Sequence, residues 1–158
     1  MKNYNKYNFY KNAFELMELA KIHKSLHYSI SAIAIIESII ADRTQSYISF
    51  KEKEWFELQK EKHIKTTVLV DKCNKYFKKL NIVIKRKDST KFESDDLFTD
   101  IKEWLKKRNY VLHSFAKTSI NNKNITYDEF VHYAITTTEE GIVLVTLLNK
   151  WFKNQKNK

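Results

Sequence analysis

Proline is absent from the 158 residues, glycine occurs once, at Gly141, and cysteine once, at Cys73. With so few backbone breakers, and with Leu, Ile, Glu and Lys abundant, the composition predicts an all-α fold. A lone cysteine excludes an internal disulfide framework and suits a reducing cytoplasm. Long apolar runs are missing too. The longest, Ile30–Ala41, contains Glu37 and is shorter than the roughly 20 residues that span a bilayer. The opening M-K-N-Y-N-K-Y-N-F-Y lacks the apolar core of a signal peptide, so the expectation is a soluble, cytoplasmic chain with no membrane partner. No internal repeat and no linker interrupts it. The expected organisation is one domain over 1–158, a helical bundle of about four to six helices with a frayed basic tail at 152–158.

What is present is a globular composition with a strong basic bias. Hydrophobic residues make up 42% and aromatics 14%, enough to build a core and to exclude a disordered chain. The formal charge is +10, which favours a polyanionic partner, either nucleic acid or an acidic membrane surface. Lysine supplies all but three of the 29 cationic residues, a bias that an AT-rich coding background also produces.

Apolar spacing places the elements. A first helix is expected over about Asn8–Lys24, and a second, apolar nearly all round and therefore central, over about Leu26–Ser49. His23 and His27, four apart, lack a Cys, Asp or Glu to complete a metal set and are expected to flank the turn between these helices. A charged, exposed helix comes after Phe50, and another helix over about Thr66–Leu80 carries Cys73 on its apolar side as a small core residue. Asn81–Ser94 reads as a loop with a short extended piece, N-I-V-I-K, and a basic cluster, K-R-K. Asp95 and Asp96 announce a helix to about Lys117, since acids favour the positive end of the helix dipole. After a polar turn at Ser119–Asn124, Thr126-x-x-Glu129 reads as a capping box that starts the last helical region. The T-T-T-E-E-G run is expected to divide that region into a short helix and a longer one, about Thr138–Phe152. Gly141 would permit close helix approach.

Two charges break the apolar pattern. Arg108 lies mid-stripe among Ile101, Leu112 and Phe115, and Glu37 lies mid-stripe among Ile33, Ala34, Ile40 and Ala41. Unpaired burial of either is costly, so a Glu37–Arg108 contact is the first tertiary expectation. Asn109 and His113, four apart, share a neighbouring face of the Arg108 helix. The arrangement reads equally as a structural ion pair without chemistry.

Arg108-Asn109-x-x-x-His113 resembles the R-x(4–6)-H signature of the HEPN superfamily, in which a polar residue commonly follows the Arg. The setting is similar in architecture along nearly the whole chain, whereas the motif covers six residues. Glu37 stands where such domains often carry an acidic or polar residue. The resemblance implies a metal-independent endoribonuclease with no cofactor, acting on RNA at a site shared by two subunits of a homodimer. It implies His113 as acid or base, Arg108 on the phosphate, Asn109 as a holder of ring or phosphate, and Glu37 in support. It also implies the context of a toxin or antiphage effector, often beside a nucleotidyltransferase-type antitoxin. Two alternatives stand beside it: a non-catalytic HEPN-like nucleotide- or nucleic-acid-binding or regulatory domain, and a helical accessory subunit whose basic surface holds nucleic acid.

Overall fold

The I-S-A-I-A-I-I-E-S-I-I-A run lies within one long helix that buries Ala32, Ile33, Ile36, Ile39 and Ile40, whereas Ala34 and Ser38 are exposed. The computed structural model describes residues 6–59, 62–79, 97–115 and 125–156. Six helices occupy the described residues: α1 (Lys6–His23), α2 (Leu26–Lys51), α3 (Lys53–Leu58), α4 (Thr66–Lys79), α5 (Leu97–Phe115) and α6 (Tyr127–Lys156). The described residues contain no strand, so the all-α expectation holds. No helix among them is long and apolar enough to cross a membrane. The expected loop with its N-I-V-I-K piece, the K-R-K cluster, the Asp95–Asp96 helix start and the Ser119–Asn124 turn lie outside the described residues.

By internal contacts the chain forms two compact units, one from 1–37 with 104–143 and one from 38–103 with 144–158. In the first, α1 contributes Ala13, Met17 and Ala20 to a core completed by Ile33 and Ile36, Trp104 and Val111, and Phe130 and Ala134, all buried. α1 ends in a Schellman motif: the Ser25 N–H donates to the Ala20 carbonyl at 3.1 Å, with Lys24 at φ 46° in the left-handed region. In the second unit the Trp151 ring meets Tyr47 at 5.0 Å and Phe98 at 5.6 Å, both edge-on, the geometry favoured by ring quadrupoles. Arg43 lies 5.5 Å over Phe152 and its Nε donates to Asn149 Oδ1 at 2.7 Å. Cys73 is buried there with its thiol toward the Thr44 carbonyl at 3.8 Å, and burial pushes the thiol up to about 12. It is a core residue, as its place in the stripe implies.

Two expectations about the last helix are corrected. The T-T-T-E-E-G run does not interrupt it: α6 is continuous from Tyr127 to Lys156. Thr137 and Thr138 turn their hydroxyls back onto the carbonyls of Tyr133 and Ala134, each at 2.9 Å, so these buried side chains are satisfied inside the helix. Packing overrides their modest helix propensity. Nor does the helix end at Phe152. Lys, Asn and Gln with no Gly or Pro stop allow it to run on to Lys156. The capping box at its start forms as expected: the Glu129 N–H donates to Thr126 Oγ1 at 3.2 Å, and the Thr126 N–H to Glu129 Oε2 at 3.3 Å.

Candidate functional site

α5 buries Ile101, Trp104, Leu105 and Val111 on one face, which carries Arg108 inward with them. Its guanidinium is 15% exposed and meets Glu37 of α2, 27% exposed, with Nη2 to Oε1 at 2.9 Å. The contact expected from the two misplaced charges therefore forms, at the distance of a charge-assisted hydrogen bond. It does not exhaust the guanidinium, because Arg108 Nε is buried with no hydrogen-bond partner. Such a donor costs free energy that an acceptor brought by a ligand would recover.

The adjacent Lys107 faces α6. Its Nζ donates to both Glu140 oxygens, at 2.8 and 3.1 Å, and Glu140 is 12% exposed. Tyr110, one turn from Lys107 and Lys106, stacks edge-on with Tyr133 at 5.1 Å and Phe130 at 6.0 Å. Burial raises the Tyr133 phenol, with Lys107 opposing and Glu140 and Tyr110 adding to the rise. Sequence pattern misses this cluster. Its one available signal, the paired acids at Glu139 and Glu140, sits inside the run read as a break.

Asn109 is half-buried and His113 is exposed. Four residues lie between Arg108 and His113, and the five steps turn about 140° around a helix, so one copy of the chain aims them in different directions. The four residues thus divide into a joined pair, Glu37 and Arg108, and a polar edge, Asn109 and His113. No family model, curated protein or solved structure matches the chain.

His23 and His27 flank the α1–α2 turn as expected, with the Tyr28 ring 6.0 Å from each. Among the described residues no group of three His, Cys, Asp or Glu side chains is placed to hold a metal ion.

Proposed function

We propose that the chain is a metal-independent endoribonuclease of the HEPN type, acting as a homodimer. The observation that carries the reading is Arg108: a guanidinium built into an apolar helix face, oriented by Glu37, with a buried Nε left over, on the same helix as an exposed imidazole. The reaction needs an acid–base group and a stabiliser of phosphoryl charge, and these are the residue types present. A base takes the proton of the ribose 2′-OH, O2′ bonds to phosphorus, and the P–O5′ bond breaks. The leaving O5′ takes up a proton, giving a 2′,3′-cyclic phosphate and a 5′-OH. His113 serves as acid or base, and Arg108 offsets the charge on the phosphoryl oxygens. Asn109 holds the ring or a phosphate oxygen.

The angle of about 140° between Arg108 and His113 supports a site completed across a two-fold axis, where His113 of one copy faces Arg108 of the other. A cytoplasmic toxin or antiphage effector held in check by a nucleotidyltransferase-type antitoxin is the setting this activity fits. The Glu37–Arg108 ion pair favours a second reading, in which Arg108 is structural and the domain binds nucleotide or nucleic acid without cleaving it.

Incubation with total RNA in EDTA separates the two. Cleavage by the wild type that is lost in His113→Ala, with thermal stability retained, supports the enzyme. Binding without cleavage by either protein supports the second reading.

A further inference from the structure

Where α1 hands over to α2, a cavity of about 630 Å³ opens, with His23, Lys24, His27 and Tyr127 on its walls. Leu26, Ile30 and Leu112 supply apolar surface. We propose that this cavity holds one nucleotide unit of single-stranded RNA, the phosphate against Lys24 and the two imidazoles, the base on the Tyr127 ring and the apolar surface. That the strand is RNA rests on the ribonuclease reading; the binding itself does not.

The volume lies in the range of small-ligand sites. The wall chemistry selects an anion, since a lysine and two histidines line it and none of the described residues lining it is acidic. A neighbouring cavity of about 420 Å³ makes the contrast. Lys24 lines that one as well, but with Asp128 and Glu139, whose carboxylates repel a phosphate. Lys21 is also engaged there, 3.3 Å from Glu139. The base has a platform of its own: Tyr127 is 66% exposed, which leaves its ring open to a planar partner. Aromatic rings beside a cationic wall are how single strands are held without sequence readout. Leu112 links the cavity to the proposed chemistry, because it belongs to α5 and directly precedes His113.

The test is an amide-shift NMR titration of the full chain with AMP, and in parallel with adenosine and with inorganic phosphate. AMP is expected to shift the signals of residues 23–30 and Leu112 and to bind more tightly than either fragment. Two variants avoid unfolding: Lys24→Gly, because Lys24 occupies a left-handed position that glycine prefers, and Tyr127→Ala, because Tyr127 is exposed. Each should weaken AMP binding about tenfold, the size of one charge-assisted hydrogen bond or one stacking contact. Shifts that are absent at millimolar AMP or lie elsewhere on the chain would overturn the proposal. So would unchanged affinity in both variants, or phosphate binding as tightly as AMP. AMP has no internal phosphodiester to cleave, so AMP binding beside a failed cleavage assay would keep this subsite and remove only the nuclease.

Discussion

At Gly141 an added Cβ would come within 2.8 Å of Trp104 Cζ2 and 2.9 Å of Cε2 and Nε1. The indole cannot retreat. It is 1% exposed, and its Nε1 donates to the Thr137 carbonyl at 2.7 Å. Replacing a helical glycine by alanine ordinarily gains up to about 1 kcal/mol, and here overpacking reverses the sign. Gly141→Ala is expected to lower stability by about 1–3 kcal/mol, read from a urea melt; a variant as stable as wild type would show that the ring is free to move. The Glu37–Arg108 pair responds to substitution in a graded way. Arg108→Ala leaves the partly buried Glu37 carboxylate without its guanidinium and should cost about 1.5–3 kcal/mol, the range for hydrogen bonds to charged groups. Glu37→Gln keeps an acceptor facing Arg108 and should cost less. Equal losses in the two would mean that the charge itself carries the whole contribution of the pair, and no loss in Glu37→Gln that it contributes nothing.

Among the helices, α6 depends on its capping box: Thr126→Ala removes the acceptor for the Glu129 N–H and should cost about 1 kcal/mol, measured by thermal melt. The box was legible in the sequence because its two residues stand three apart. The Glu37–Arg108 contact was legible for a different reason: each charge breaks the apolar stripe of its own helix, and opposite charges so placed have few other partners. Gly141 was legible as the one glycine on a stripe. What escaped the sequence depends on tertiary convergence. Thr137 and Thr138 look like helix breakers until burial turns their hydroxyls back onto Tyr133 and Ala134, with the Ser29 carbonyl a second acceptor for Thr138 at 3.4 Å. Lys107 gives no sign that it will reach Glu140, thirty-three residues on. The cavity joins a turn at 23–27 to Leu112 and Tyr127, and no local pattern marks residues that far apart.

Whole-molecule behaviour tests both the core and the site. Burial raises Cys73 to about 12 and also raises Tyr47 and Tyr133. A group with a raised folded pKa stabilises the fold fully below its unfolded pKa and loses that contribution as pH climbs toward the folded value. Stability should therefore decline from about pH 9 upward, and Cys73→Ser should flatten part of that decline in pH-dependent melts. The proposed shared site is open to a complementation test. Each copy aims Arg108 and His113 about 140° apart, so a composite centre needs His113 from one copy and Arg108 from the other. His113→Ala alone should lose about 10²–10⁴ in cleavage rate in EDTA. Arg108→Gln, which retains donors for Glu37, should be similarly inactive while still folded. Refolded together in equal amounts, the two inactive proteins pair at random, so about half the dimers are mixed. Each mixed dimer holds one intact His113–Arg108 pair and one doubly defective pair, which predicts recovery of about a quarter of wild-type activity. A site contained within one copy would instead stay silent in every mixture. Mixed dimers, confirmed by differently tagged subunits, that show no recovery would rule out a site shared across the two-fold axis and assign Arg108 and His113 of one copy to the same centre.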